Sequence, residues 1–276
     1  MTRLLEAVRG LILDAGEASV AVVARTVGGP AALAIEAERS FHAASTVKLP
    51  VLVELWRAAF SGTCGLDEPI VVRNTFASLV GGVPFRLDPA DDSEASLYAR
   101  AGEAVPAREL ARLMIVRSSN LATNLLVERL AATRVDAAMR DLGIDGLRVL
   151  RGVEDGAAFA AGLNNAVSAA GLARLLELLA MGRVVSRAAS AEMLDVLAAQ
   201  EFAEGIPAGL PAGTRVAHKT GSIAGLYHDA GVVFPDASPP YVVVVLTSGL
   251  DERTAAPALV AAIVREVHGA VGLAGA

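Results

Sequence analysis

Three short clusters of residues in this chain carry side chains that could do chemistry together. The first is Ser45-Thr46-Val47-Lys48, placed where an extended segment ends and an apolar helix is predicted to begin. Residues three apart lie on the same face of a helix, so the Lys48 amine can reach the Ser45 hydroxyl. A serine is a poor nucleophile until an adjacent base takes its proton, and a desolvated lysine can be that base. The alternative is a helix-capping serine followed by a lysine that faces solvent.

The use of lysine in this sequence favours the chemical interpretation. Among the 24 lysine and arginine residues, only Lys48 and Lys219 are lysines. Arginine stays charged at any ordinary pH, whereas the pKa of a lysine can be lowered until the amine is neutral. Two lysines in a chain that otherwise uses arginine indicate a chemical requirement at these two positions.

The second and third clusters supply further polar groups. Ser118-Ser119-Asn120 lies on a turn between two predicted helices, where a hydroxyl can pass on a proton and an amide can hold a carbonyl or a lysine. Lys219-Thr220-Gly221 lies in a predicted strand, and its glycine lets a ligand approach the backbone. Taken alone, the second cluster is typical of a helix-linking turn, and the third of a lysine that protects a sheet edge.

The order of predicted elements places these clusters in an α+β fold. Apolar residues at helical spacing follow Ser45 and recur through the middle of the chain, whereas β-like runs lie near both ends. The segment from Gly62 to Pro106 is irregular. We therefore predict an antiparallel sheet with flanking helices from residues 1–40 and 205–276, and an inserted all-α lobe over residues 41–204 that carries the nucleophile. The predicted helices are an N-terminal one, then 45–60, 106–116, 121–130, 135–142, 169–181, 186–197 and 255–267, and the predicted strands are 18–26, 31–37, 215–220, 228–234 and 241–248.

Composition excludes several classes of function. With 276 residues, 54% of them hydrophobic and 20% charged, the chain can bury a sizeable core. A net charge of −6 argues against nucleic acid as a partner. No CxxC, HExxH, GxGxxG or Walker-type motif occurs, and Cys64 is the single cysteine, so we predict no metal site, no cofactor and no internal disulfide. GxSxG is also absent, which removes the usual α/β-hydrolase signature.

No segment of the sequence predicts attachment to a membrane. The N-terminus is typical of an amphipathic helix and not of a signal peptide. The apolar segments are shorter or more interrupted than the roughly 20 residues that a span needs. We therefore expect a monomer that acts on a small-molecule substrate, in the cytoplasm if the chain is complete as written, or outside it if this is a mature form.

The three motifs together resemble those of a known superfamily. Spaced 73 residues apart from Ser45 to Ser118 and 101 from Ser118 to Lys219, they resemble S-x-x-K, S-D-N and K-T-G of the penicilloyl-serine transferases. This superfamily contains the class A β-lactamases and the penicillin-binding proteins. The resemblance covers nearly the whole chain, because the order of strands and helices also matches, and it implies a β-lactamase/transpeptidase-like fold.

The resemblance implies how the reaction would run. Ser45 would be the nucleophile, and Lys48 the base that activates it for acylation. Ser118 would pass a proton to the departing nitrogen, while Asn120 would orient both Lys48 and the substrate amide.

It also implies how the substrate would be held. Lys219 would supply positive potential, and Thr220 would contact a substrate carboxylate. The oxyanion hole would consist of the backbone N–H groups of Ser45 and of Ser222, the residue after Gly221. Loss of one such donor typically costs on the order of 100-fold in rate.

The sequence matches the family less well at the residues that would release the acyl group. Class A enzymes carry a glutamate in a pattern resembling E-x-x-L-N, and this motif is absent here. Counting 36 residues from Ser118 gives Glu154, with Asp155 as an alternative base, whereas matching Leu163-Asn164 puts Ala160 at the glutamate position. Both acids could also be solvated loop residues. Without a base the acyl-enzyme would persist.

Two further positions depart from the pattern. Ser119 stands where class A enzymes usually have an aspartate, so a structural carboxylate is lost while the hydroxyl and amide beside it remain. His228 could replace the arginine that many relatives use to hold the substrate carboxylate, although a neutral histidine is a weaker partner for an anion. The alternative for His228 is a structural histidine at a strand end, next to Asp229.

These observations predict a serine hydrolase that opens the β-lactam amide through an acyl-enzyme on Ser45. Three alternatives use the same machinery. A D-alanyl-D-alanine peptidase or a small ester or amide hydrolase would attack related carbonyls. A penicillin-binding or sensor protein would form the adduct without turning it over.

Overall fold

A computed structural model describes residues 2–273 of the chain and has the predicted α+β class. The helices are α1 Thr2–Asp14, α2 Lys48–Phe60, α3 Ala107–Val116, α4 Asn120–Leu130, α5 Ala132–Asp141, α6 Gly156–Ala160, α7 Ala169–Ala180, α8 Arg187–Ala198 and α9 Ala255–Leu273. The strands are β1 Ser19–Thr26, β2 Ala31–Ile35, β3 Phe41–His42, β4 Pro69–Val71, β5 Phe76–Ala77, β6 Pro84–Phe85, β7 Ala104–Pro106, β8 Leu147–Arg148, β9 Ala166–Val167, β10 Arg215–Ile223, β11 Leu226–Phe234 and β12 Tyr241–Ser248.

One antiparallel sheet joins the two ends of the chain. Its strand order is β10-β11-β12-β1-β2, and β1 pairs with β12 from Ser19 opposite Ser248 to Thr26 opposite Tyr241. This central pairing links strands that are more than 200 residues apart in sequence, which confirms the prediction that the sheet draws on both termini. The turn that contains Gly28 and Gly29 connects β1 to β2, as the hairpin signal predicts.

Each face of the sheet is covered by helices. Successive residues of a strand point to opposite faces, and β1 shows this alternation. Val20, Val22 and Ala24 belong to a core formed with α1 and α9. Ala21 and Val23 belong to a larger core formed with α2, α7 and the other helices of the middle of the chain. The sheet therefore lies between two cores, and the larger one is shared with the helices of the middle of the chain. The division into two lobes stays a prediction.

The middle of the chain differs in two ways from the all-α lobe that the sequence predicts. Residues 41–204 also contain the short strands β3 to β9, each of two or three residues. The nucleophile segment does not begin as an α-helix at Ser45, because Ala44–Val47 form a 3-10 turn and α2 begins at Lys48. Pro50 lies in the first turn of α2, where its missing N–H costs least.

Within the described residues, no helix combines the length and the hydropathy that crossing a bilayer requires. Among the same residues, no group of three or more His, Cys, Asp or Glu side chains has an arrangement that could hold a metal ion.

Candidate active site

The 3-10 turn at Ala44–Val47 holds Ser45 at the start of α2. Ala44 has a φ of +43°, an unusual value for a residue with a Cβ. Its N–H donates to His42 Nδ1 at 3.1 Å, and the hydroxyl of the buried Thr46 donates to the carbonyl of Ala43. These contacts fix the backbone on both sides of Ser45. The serine therefore lies on a constrained turn at the edge of a cleft and not on a mobile loop.

Lys48 Nζ is the centre of a hydrogen-bond network. It lies 3.0 Å from Ser45 Oγ, 2.8 Å from Asn120 Oδ1, 3.1 Å from Ser118 Oγ and 2.6 Å from the carbonyl oxygen of Ser118. The two carbonyl oxygens can only accept hydrogen bonds, so they take two N–H groups of Lys48. A neutral amine then has its lone pair left for a hydroxyl. The geometry allows Lys48 to accept the proton of Ser45.

Burial allows the neutral form of the Lys48 amine to be populated near neutral pH. Lys48 is fully buried, and this desolvation lowers its pKa to about 7, against the attraction of the Asp92 and Glu154 carboxylates. Lys219 is also fully buried, and its pKa is lowered well below the usual lysine value, first by desolvation and then by the charge of Lys48. Desolvation disfavours the charged form of an amine. The two lysines of the chain are thus its two strongly desolvated amines.

Ser118 connects the two lysines. Its Oγ lies 3.1 Å from Lys48 Nζ and 3.1 Å from Lys219 Nζ, and Lys219 also donates to the carbonyl of Thr220 at 2.9 Å. Ser118 has a φ of +55°, and its carbonyl accepts a hydrogen bond from Lys48. The three sequence clusters therefore converge on one hydroxyl that can receive a proton from one amine and give it to a group in the cleft.

Asn120 lies between Lys48 and Glu154. Its Oδ1 accepts from Lys48, and its Nδ2 donates to Glu154 Oε1, so the amide has the one orientation in which both contacts are favourable. Glu154 has a φ of +58°. The residue is exposed to the cleft, yet partial desolvation of its carboxyl group raises its pKa. Glu154 is therefore held beside Lys48 as a group that can accept a proton.

The third motif closes the other side of the site. A Cβ on Gly221 would lie 3.1 Å from the backbone nitrogens of Ser45 and Thr46, so only glycine fits without displacing the nucleophile turn. Ser222, the next residue, lines the cleft together with Ser45. This close approach of β10 to the turn places Ser222 near Ser45 at the cleft, and the use of their N–H groups as an oxyanion hole stays a prediction.

Two adjoining cavities open from Ser45. One, of about 620 Å³, is lined by Asn120, Glu154, Phe159 and Ile223. The other, of about 370 Å³, is lined by Ser118, Thr220 and Tyr227 among others. A small molecule with a carbonyl over Ser45 would have one arm in each cavity.

His228 does not face either cavity, which corrects its assignment to substrate binding. It is fully buried, its Nε2 donates to the carbonyl of His42 at 3.0 Å, and its Nδ1 accepts from the N–H of Thr247 at 3.2 Å. Burial lowers its pKa to about 4, so the ring is neutral. The histidine that contacts Asp229 is His218, at 2.9 Å, and not its neighbour His228.

Asp155 is also corrected as an alternative base. Its carboxylate is buried and accepts hydrogen bonds from the Ser78 hydroxyl and from the backbone N–H groups of Leu79 and Ala158, at 2.8 to 3.0 Å. Desolvation of Asp155 is outweighed by these bonds and by the charge of Arg151, which together lower its pKa. Asp155 caps α6 and anchors the segment that presents Glu154. Ala160, in the other register, offers no titratable group.

One residue at the site was missed by the sequence analysis. The carboxylate of Asp92 accepts hydrogen bonds from the backbone N–H groups of Asn120 at 2.9 Å and Leu121 at 2.8 Å. Asp92 belongs to the irregular segment between Gly62 and Pro106, where no periodic pattern indicates which side chains turn inward. No signal in the sequence could have selected it among the acids of that segment.

Comparisons with known proteins concern the family and the fold of the chain. The model of the β-lactamase enzyme family matches residues 3–271. A β-lactamase from Sphaerobacter thermophilus is 26% identical, with a TM-score of 0.82 over 97% of this chain and 98% of that one. An ancestral class A β-lactamase, GNCA, is 25% identical, with a TM-score of 0.80 over 97% and 99% of the two chains.

A PBP-A mutant has the same fold at 24% identity, with a TM-score of 0.82 over 98% of this chain and 96% of that one. No curated protein sequence matches the chain. The family match extends over nearly the whole chain, and the structural matches show the β-lactamase/transpeptidase fold. The chain therefore belongs to the β-lactamase enzyme family of serine hydrolases.

Proposed function

We propose that this protein hydrolyses the β-lactam amide through an acyl-enzyme on Ser45. The observation that carries the proposal is the contact of Ser45 Oγ with a buried amine, Lys48 Nζ, at 3.0 Å, where the pKa of that amine is about 7. A base within hydrogen-bond reach of a hydroxyl, with a pKa near the working pH, is what nucleophilic catalysis by serine needs.

Acylation follows from the same contacts. Neutral Lys48 takes the proton of Ser45 as Oγ forms a bond to the carbonyl carbon of the lactam. The carbon–nitrogen bond then breaks, and the nitrogen receives the proton of the Ser118 hydroxyl, which is replaced from Lys48 at 3.1 Å. The N–H groups of Ser45 and Ser222 would stabilise the oxyanion, because preorganised donors act most strongly where charge develops.

Recognition of the substrate would use the second cavity. Thr220 lines it, and Lys219 lies behind it, hydrogen-bonded to Ser118. A substrate carboxylate at Thr220 would favour the charged form of Lys219, because an opposite charge nearby raises the pKa of an amine. On this proposal Lys219 gains its positive charge when the substrate binds.

Deacylation would use Glu154 as the base for water. Its carboxyl group lines the larger cavity with Ser45 and is oriented by Asn120, and its raised pKa makes it a stronger base. Related machinery is known to form the covalent adduct, since the PBP-A mutant was solved as an acyl-enzyme complex with penicillin G.

A specific observation favours a second candidate, a protein that acylates and then stalls. The E-x-x-L-N pattern would place an asparagine four residues after the glutamate, and Ala158 stands there. Asn165, which lines the same cavity, has its amide engaged by the backbone of Leu150 and Arg151. Glu154 would then lack the asparagine amide of that pattern to orient the attacking water molecule. Hydrolysis of the adduct would be slow, and the protein would stay acylated.

The deciding experiment is stopped-flow turnover of a chromogenic cephalosporin together with intact-mass spectrometry. The wild type is compared with Glu154→Gln, and Ser45→Ala is the control that removes the attachment point. Steady turnover by the wild type, with an adduct that accumulates in Glu154→Gln, supports the β-lactamase. A stoichiometric burst that stalls in the wild type supports the second candidate. An adduct that persists in Ser45→Ala would refute Ser45 as the nucleophile.

A further inference from the structure

The buried carboxylate of Asp92 has more hydrogen-bond donors than a loop aspartate needs. Oδ2 accepts from the N–H groups of Asn120 and Leu121, from the Tyr98 hydroxyl at 3.0 Å and from the Ser119 hydroxyl at 3.4 Å. Oδ1 accepts from the N–H of Glu94 at 3.0 Å. Asp92 is only 7% exposed. Hydrogen bonds to both carboxylate oxygens therefore hold the Asp92 side chain in one orientation.

These contacts complete the N-terminus of α4. The first N–H groups of a helix have no partner within it. Asp92 takes those of Asn120 and Leu121, and the Ser119 hydroxyl takes that of Ala122 at 3.1 Å. The positive end of the helix dipole also favours a negative charge at this point. The start of α4 is thus held by one carboxylate that comes from a segment outside the helix.

Asp92 is also a buried charge without an ion-pair partner. Among residues 2–273, no lysine, arginine or histidine nitrogen lies within 4 Å of its carboxylate. Burying a carboxylate is unfavourable unless other groups compensate for its lost hydration. Helix α4 supplies part of that compensation. The negative charge of Asp92 also acts on the buried Lys48, for which Asp92 is the main source of attraction.

We propose that Asp92 is a positioning residue of the active site, which holds the first turn of α4 so that Asn120 reaches both Lys48 and Glu154. It supplies from another segment the carboxylate that the second motif lacks at Ser119. The kinetic part of this inference rests on the proposed function, because it is measured as acylation of Ser45. The electrostatic part does not, because it concerns the proton affinity of Lys48 in the free protein.

The charge of Asp92 must be considered together with the other charges that face Lys48. Glu154 also attracts the protonated amine, with Asn120 hydrogen-bonded to both. Lys219 lies across Ser118, and its own pKa is lowered by burial and by the charge of Lys48. Loss of the Asp92 charge therefore removes the main attraction on the protonated amine and leaves that of Glu154. The proton affinity of Lys48 should then fall, and the amine should become neutral at a lower pH.

The test uses the fact that Lys48 and Lys219 are the only lysines in the chain. Protein labelled with ¹³C at lysine Cε gives two signals, which a Lys219→Arg variant assigns. Asp92→Asn keeps the shape of the side chain and removes its charge. We expect the Lys48 titration to move down by roughly 0.5–1 pH unit and acylation above that titration to fall about 10-fold or more, because Asn120 loses its fixed position.

Two further variants separate positioning from stability. Asp92→Asn combined with Ser119→Asp returns a carboxylate to within one hydrogen bond of the lost one, since the two side chains touch at 3.4 Å. We expect it to restore the Lys48 titration and most of the acylation rate. Asp67→Asn removes an exposed acid from the same irregular segment, where Asp67 contacts Arg108, and should change neither quantity.

The Lys48 titration and the acylation rate of these variants decide the inference. An Asp92→Asn protein with an unchanged Lys48 titration and an unchanged acylation rate overturns the inference. A double variant that folds but regains neither quantity also overturns it. If neither variant folds, Asp92 serves the fold and not the site, and the inference fails. If the wild type forms no adduct but the Lys48 signal still follows the Asp92 charge, the proposed function and the kinetic part of the inference fail, while the electrostatic part stands.

Discussion

The pH dependence of acylation is the most direct consequence of the site. Lys48 is the base only when it is neutral, and burial lowers its pKa to about 7. Above that pH most molecules carry a neutral amine, and below it the neutral fraction falls by a factor of ten for each pH unit. About one tenth of the protein is active as a base at pH 6, and about one hundredth at pH 5. Acylation should therefore be roughly 100-fold slower at pH 5 than at pH 9.

The assay measures the first turnover. Stopped-flow mixing of excess chromogenic cephalosporin with the Glu154→Gln variant isolates acylation from hydrolysis, because the adduct is expected to accumulate there. The rate is recorded from pH 3.5 to pH 9 at constant ionic strength. A thermal unfolding scan at each pH is the control, and only the range in which the melting temperature is constant enters the profile.

Two results would refute the reasoning. A rate that is constant from pH 5 to pH 8 would mean that no group with a pKa near 7 controls the attack. A fall centred between pH 4 and pH 5 would assign the base to a carboxyl group with an ordinary pKa, and Lys48 would then serve only to hold Ser118 and Asn120 in place. A fall centred near pH 7, or somewhat below it because Glu154→Gln removes one carboxylate that attracts the protonated amine, agrees with the geometry at Lys48 Nζ.

Three substitutions test other parts of the site. Gly221→Ala puts a Cβ 3.1 Å from the backbone nitrogen of Ser45, so the acylation rate should fall about 10- to 100-fold. The control is Gly10→Ala, where the new Cβ has open space around it. This variant should leave the kinetics unchanged and raise the melting temperature slightly. Asp155→Asn should lower the free energy of unfolding by about 1–3 kcal/mol, measured by urea denaturation; no loss would contradict its anchoring role. His228→Gln should destabilise the fold without changing the ratio of kcat/KM for a carboxylated substrate to that for its methyl ester, and a changed ratio would return His228 to substrate binding.

The parts of the site that depend on local geometry could be predicted from the sequence. Ser45 and Lys48 meet because a separation of three residues brings side chains together on one helical turn, and the 3-10 start of the helix does not disturb this contact. The long strands were predictable for a similar reason, since continuous apolar runs such as Tyr241–Ser248 are typical of buried strands. In both cases a few neighbouring residues determine the result.

The parts that depend on tertiary packing could not be predicted. His228 lies opposite Gly221 in the pairing of β10 with β11, on the face that the nucleophile turn covers, and its burial follows from what packs on that face. Asp92 reaches α4 from a segment whose sequence has no periodicity. Spacing favours Glu154 and leaves Asp155 as an alternative, and only the local backbone decides that the Glu154 carboxylate faces the cleft while that of Asp155 caps α6.

Backbone strain at the site explains why pH is a sharper probe of Lys48 than mutation. Among residues 2–273, five residues other than glycine have positive φ, and three of them, Ala44, Ser118 and Glu154, surround Ser45. Such conformations cost roughly 1–3 kcal/mol each and persist only where contacts hold them. The carbonyl of Ser118 is held by Lys48, and Glu154 is held by Asn120, which Lys48 also holds. Replacing Lys48 would therefore remove the base and release two strained segments at once, whereas titration changes the proton and leaves these contacts in place.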